Sequence, residues 1–166
     1  MDRRRLTAVV LAIAFLLLAA GALAVGLGLT ERGEYDWTTV TIVDDETGET
    51  LATVDARIAD THEKRYTGLS DTDSIDEDEG MLFVHDEPGT YSYVMRGMEF
   101  PIDIVFVDAD GRITAIHHAP LEDGSIGQTR YTGTGQYVLE VTYQFTDRNG
   151  IDVGDRIEIG DRRENR

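Results

Sequence analysis

No cysteine occurs among the 166 residues. That absence excludes a disulfide framework, a thiolate metal centre, a cysteine nucleophile and a lipid-modified amino-terminal cysteine. Lysine is nearly as scarce: Lys64 stands alone, and every other basic residue is an arginine. The chain carries 15 basic against 32 acidic side chains, a formal net charge of −17. Arginines cluster only at Arg3, Arg4 and Arg5 and at Arg162 and Arg163. Phosphate contacts need clustered cations on the body of a domain, so nucleic acid is not an expected partner. The G-x-S-x-G elbow, the H-E-x-x-H zinc motif, the Walker loop and the dinucleotide-binding glycine pattern are also missing. No catalytic residue and no cofactor can be named from motifs.

Acidic residues are spread along the chain, as at Asp44, Asp45 and Glu46, at Asp71 and Asp73, through residues 76–79, and at Asp108, Asp110 and Asp147. Concentrated salt shortens the Debye length to about 3 Å and screens such self-repulsion. The distribution is the one expected of a solvated surface adapted to high salt, more than of a patch for one basic partner.

Residues 6–29, from Leu6 to Leu29, contain no charge and consist mainly of Leu, Ala, Val, Ile and Gly. A helix crossing a bilayer needs about 20 such residues. Arg3, Arg4 and Arg5 precede the run, and Glu31, Arg32 and Glu34 follow it. The positive-inside rule then places the amino terminus in the cytoplasm and the rest of the chain outside. Ala22, Leu23 and Ala24 form a cleavage-like site, so a signal peptide removed after export competes with a retained anchor. Length favours the anchor, and both readings share export. The organisation expected is a signal anchor or signal peptide over residues 1–30, a linker over 31–36, one domain over 37–160 and a charged tail over 161–166.

Within the domain, Trp37–Val43 is rich in β-branched residues and reads as a strand. A turn at residues 44–48 leads to a second strand, Thr50–Ala59, which completes a hairpin. Asp60 or Thr61 offers an N-cap for a short helix over residues 62–69. After an acidic loop come an apolar strand at residues 81–84, a turn at Glu87, Pro88 and Gly89, and a strand over 90–95. Ile102–Val107 and residues 112–118 form a second hairpin around Asp108, Ala109, Asp110 and Gly111. A glycine-rich loop over 124–135 precedes the last strands, residues 136–145 and Arg156–Ile159. The fold class expected is mostly β (α+β): a small β-barrel or β-roll with one short helix, preceded by a transmembrane helix.

Several residues carry candidate chemistry. Asp103 and Glu140 sit inside apolar strands, where a carboxylate is costly unless paired, and Arg65 or Arg96 would serve as partners. Used together as acid and base, the two carboxylates would suit a hydrolase or transferase. Met81, Met95 and Met98, with His117 or His118, offer thioether and imidazole ligands suited to Cu(I). Adjacent strand residues face opposite sides, so only one of the two histidines can join a given site. Tyr91, Tyr93, Tyr131 and Tyr137 would form a stacking surface if they shared a face. Asp108 and Asp110 resemble half of a calcium loop, but the closing ligands are missing.

The order Arg65, Gly68, Leu69, then Gly80, Met81, Leu82, Phe83, then Met95, Pro101, Asp103, Phe106 and Gly111 has a continuation in Ala119, Pro120, Tyr131, Leu139, Glu140, Gly154 and Asp155. This succession resembles the domain of unknown function 192 family, in a haloarchaeal-type member with an N-terminal anchor. The likeness covers roughly residues 51–159. It implies a small, mostly-β fold with one helix, often exported or anchored, and no particular activity. Three positions depart from the pattern: Ser70 where the family has methionine, Val94 where it has tryptophan, and Gly97 where it has asparagine. If these positions line a ligand site, the version in this chain is altered.

The expectation is therefore an extracytoplasmic, membrane-tethered domain that binds an unknown small ligand or serves another envelope protein. Its tentative site comprises Arg65, Met95, Arg96, Asp103 and Glu140. If export and anchoring both hold, the full chain will partition with membranes, and protease added to intact cells will remove the domain. Recovery of uncleaved protein in the cytosolic fraction would overturn this.

Overall fold

The computed structural model describes residues 35–121 and 129–164. The segment read as a membrane anchor or signal peptide lies outside them, and among the described residues no helix is long and apolar enough to cross a membrane. The fold is mostly β, as expected, with two short helices among the described residues.

Strand β1 (Trp37–Val43) alternates threonine with aliphatic residues, and Val40 and Ile42 turn inward. It pairs antiparallel with β2 (Thr50–Ala59). The turn between them is built by Asp44, whose Oδ1 accepts from the backbone N–H of Glu46 and Thr47 at 3.0 and 2.7 Å. Strand β2 then pairs in parallel with β3 (Glu79–Tyr93). A hairpin cannot join parallel strands, and the crossover carries helix α1 (His62–Thr67). Thr61 caps α1 by accepting from the Lys64 N–H at 3.2 Å. The helix stops two residues short of expectation because Gly68 adopts φ 54°, and a Cβ there would come within 3.2 Å of the Phe83 ring.

The two strands expected around Glu87, Pro88 and Gly89 are one strand, β3, with an irregularity between Val84 and Gly89 where its pairing to β6 shifts. Pro88 has no N–H to donate, and it falls where the ladder is interrupted. Strands β4 (Ile102–Val107) and β5 (Ile113–Ala119) form the expected hairpin. At its tip Asp108 Oδ1 accepts from the N–H of Asp110 and of Arg112, so this segment is a turn. Strand β6 (Tyr131–Thr142) begins earlier than expected. Phe145, read as its last residue, instead opens helix α2 (Phe145–Asn149), and β7 (Arg156–Ile159) ends the sheet.

The seven strands lie in the order β5-β4-β6-β3-β2-β1-β7. The two edge strands meet at one corner. Ile113 N–H donates to Asp155 O at 2.8 Å, Gly154 N–H to Ile113 O at 2.9 Å, and Ile157 N–H to Gly111 O at 2.8 Å. The sheet is thus curled into a half-barrel. Its concave side holds Val40, Ile42, Val54, Leu82, Val105, Leu139, Val141 and Ile157, with Phe145 and Ile151 packed among them. The other face of the central strands packs Met81, Phe83, Ile102, Ile104, Phe106 and Val138 against Leu69 and Met95. Close approach needs glycine at Gly135, where a Cβ would come within 2.4 Å of the Val107 carbonyl oxygen.

Residues 161–164, expected as a tail, are tied to the domain. Arg162 pairs with Asp36 at 3.2 Å and Asp60 at 2.6 Å, and Arg163 pairs with Asp55 at 2.7 Å. Trp37 and Arg163 also exchange backbone hydrogen bonds at 2.8 and 2.7 Å.

Asp103 is fully buried and fixes the end of the half-barrel. Its Oδ1 accepts from His118 Nδ1 at 2.7 Å and from the Gln144 N–H at 2.9 Å. Its Oδ2 accepts from the Thr146 N–H at 3.0 Å and from Thr146 Oγ1 at 2.7 Å. Asp103→Ala would leave these donors unsatisfied in the interior, at an expected cost of about 3 kcal/mol or more in urea unfolding. A loss below about 1 kcal/mol would show that α2 is held in place by other contacts.

Candidate functional site

A cavity of about 280 Å³ opens on the face of the sheet opposite the half-barrel interior, between α1, β3 and the loop that follows β3. Glu140 of β6 lines it and is only 6 % exposed. The residues directly across from Glu140 are Met81 on β3 and Ile104 on β4, both fully buried. The carboxylate has no hydrogen bond or ion pair among the described residues, and burial pushes its pKa up to about 8.

The wall beside Glu140 comes from β3. Its irregularity places His85 flat against Tyr91, with ring centroids 3.5 Å apart. His85 Nε2 lies 3.0 Å from Tyr93 Oη, and Tyr91 Oη donates to Glu87 O at 2.6 Å. Tyr93 also packs edge-on against Phe83 and Phe106. Burial, and then the charge of Arg65, lower the His85 pKa to about 4, so the ring is neutral near neutrality. Burial, with a smaller contribution from Glu140, raises that of Tyr93.

The mouth is cationic. Arg65 Nη1 donates to Asp60 O and Val84 O, both at 2.7 Å, and its Nη2 is 3.6 Å from exposed Asp86. Arg96 is exposed, lies 4.0 Å over the Tyr66 ring, and donates from Nη2 to Tyr66 O. The guanidiniums are held by carbonyl groups and keep donors directed elsewhere.

Of the five expected site residues, Arg65, Arg96 and Glu140 line this cavity. Met95 is buried in the apolar cluster of the same face. Asp103 points to the other face: it is opposite Val141 on β6, whereas its neighbour Ile104 is opposite Glu140. The two carboxylates therefore do not share a site, which separates the pair on which a hydrolase or transferase reading depends. The Cu(I) set divides likewise. His118 is on the Asp103 face, where hydrogen bonding to Asp103 raises its pKa. His117, on the Glu140 face, packs between Phe106 and Tyr131 with Nε2 at 3.0 Å from Thr132 O. Met81 is core, and Met98 lines the cavity. Among the described residues no three His, Cys, Asp or Glu side chains gather to hold a metal.

His85 escaped the sequence reading. Its position next to Glu87, Pro88 and Gly89 was the available signal, since a break in a strand can re-aim a side chain. Of the tyrosines noted for stacking, Tyr91 and Tyr93 line the cavity. Ser70 and Val94 also line it, and Gly97 approaches Ser70, so two of the three departures noted in the sequence line this cavity and the third lies beside it.

The profile of the DUF192 family, described as "Uncharacterized ACR", matches residues 42–159, and the chain belongs to this family. No curated protein matches. A crystal structure from Sinorhizobium meliloti 1021, provisionally described as a transcription regulator, is similar with a TM-score of 0.70 and 25% identity, over 77% of this chain and 97% of that one. A protein of unknown function from Novosphingobium aromaticivorans is similar with a TM-score of 0.68 and 25% identity, over 79% and 91%.

Between about pH 5 and pH 8 the folded protein keeps a proton on Glu140 that the unfolded chain has released. Stability contributed by this group therefore falls as pH rises through that window. Glu140→Gln removes the loss. In urea unfolding the variant is expected to match the parent near pH 5 and to exceed it by about 2–4 kcal/mol at pH 8. A variant less stable than the parent at pH 8 would mean that the carboxylate is stabilised in place.

Proposed function

We propose that this chain is an extracytoplasmic, membrane-tethered domain that binds a small ligand in the cavity between α1 and β3. The observation that carries the reading is Glu140, a carboxyl group without a partner among the described residues, buried on an apolar strand and lining an open cavity. A group that costs stability in the empty protein is the usual sign of a binding role. The cavity lies just below the ordinary size range of small-ligand pockets, and its walls mix aromatic rings with polar and charged side chains. Export and tethering are supported by the uncharged run at residues 6–29 and the arginines before it.

The description given to the Sinorhizobium neighbour does not carry over easily. A net charge of −17 opposes the phosphate contacts on which DNA binding rests. The unusual Ser70, Val94 and Gly97 support a ligand preference particular to this chain.

Thermal unfolding of the full chain in detergent and concentrated potassium chloride tests the reading. Amino acids, hexoses, nucleosides, Ca²⁺ and Cu(I) are added in turn. A ligand at 100 times its dissociation constant should contribute about 2.7 kcal/mol. The shift should vanish in Ser70→Trp, which fills the cavity. No shift with any compound, or a shift unchanged in Ser70→Trp, would refute the assignment of this cavity.

A further inference from the structure

The cavity has a carboxyl group at its buried end and guanidiniums toward its exposed one. Its buried end is the Glu140 carboxylate, which has no counter-ion among the described residues. Its open end carries Arg96, exposed over Tyr66, and Arg65, tethered to two carbonyls. The rings of Tyr91 and Tyr93 also line it. Neither guanidinium is ion-paired with Glu140.

Each simple ligand class leaves something unsatisfied. An anion held by the arginines would bring no partner to Glu140, and a plain cation would have to pass two arginines. A neutral polyol would hydrogen-bond Glu140 through its hydroxyls but bring no anion to the arginines. A molecule with a positive group at one end and a negative group at the other satisfies both ends. We infer that the ligand is a small zwitterion of the amino-acid type, its ammonium seated on Glu140 and its carboxylate held at the mouth by Arg96 and Arg65. This rests on the ligand-binding reading above and gives that ligand its chemistry.

Binding of the ammonium requires Glu140 to be ionised, so a proton leaves as the ligand enters. Two other titratable groups facing the site keep one charge state across pH 6–8. His85 is neutral because its pKa is lowered to about 4, and Tyr93 is neutral because its pKa is raised. Arg65 and Arg96 remain charged throughout. His117 is separated from Glu140 by Ile104, the strand residue between them.

The test measures binding of each standard L-amino acid to the full chain in detergent by titration calorimetry. For the tightest binder, the matching amine without the carboxylate and the matching acid without the amine are then compared. Each is expected to bind at least about tenfold more weakly, the equivalent of one lost charged hydrogen bond. Affinity for the amino acid should rise toward tenfold per pH unit from pH 6, levelling above about 8. Glu140→Gln should weaken binding and abolish that pH dependence, whereas Arg96→Gln should weaken the amino acid and spare the amine. Amino-acid binding that is unchanged in Glu140→Gln overturns the inference. Silence from every amino acid, with a hexose or nucleoside shifting the unfolding temperature, also overturns it and leaves the ligand-binding reading intact. Silence from every compound overturns both.

Discussion

The Asp103 carboxylate joins three parts of the chain that are far apart in sequence. It sits on β4, takes a hydrogen bond from His118 on β5, and takes three from Gln144 and Thr146 at the start of α2. Gln144 adopts a left-handed conformation, φ 59°, and no side chain near it in sequence caps the helix. Held in that position, α2 presents Phe145 to the concave core. A five-residue helix has almost no stability of its own. Its place depends on an acceptor some forty residues upstream.

That dependence explains what could and could not be read from the residues in order. The β1–β2 and β4–β5 hairpins were legible because alternation and turn chemistry at Asp44 and Asp108 are local. So was α1, whose cap, Thr61, immediately precedes it. Helix α2 was not legible, because its cap is distant. The continuity of β3 through Pro88 was hidden because a proline and a glycine ordinarily mark a turn. The parallel pairing of β2 with β3, and the closure of the sheet through Ile113 and Asp155, belong to the whole fold.

The same distinction applies to the site. Arg65, Arg96 and Glu140 were picked out as charged groups in apolar surroundings, and they do line one cavity. Asp103 was picked out by the same reasoning, yet it faces the other way. Burial of each acid follows from its own strand, but their relation depends on the register between β4 and β6. Ile104, not Asp103, is opposite Glu140. A slip of one residue would have put both acids on one face. The two carboxylates therefore illustrate two uses of burial: Asp103 has every oxygen satisfied and serves the fold, while Glu140 has no hydrogen-bond partner among the described residues and lines a cavity.

The pairing of Trp37 with Arg163 sets how the domain would respond to force. Strands β1 and β7 run antiparallel, with Val40 across from Ile159 and Trp37 across from Arg163. The two ends of the described domain therefore leave side by side, at the same end of the same ladder. Tension applied between them would load the hydrogen bonds one at a time, as a zipper opens, instead of shearing them together. The ion pairs of Arg162 and Arg163 lie at the first teeth of that zipper. A domain hung by these two ends yields easily, so its endurance under load would come from the concave core, reached only after β7 has peeled away.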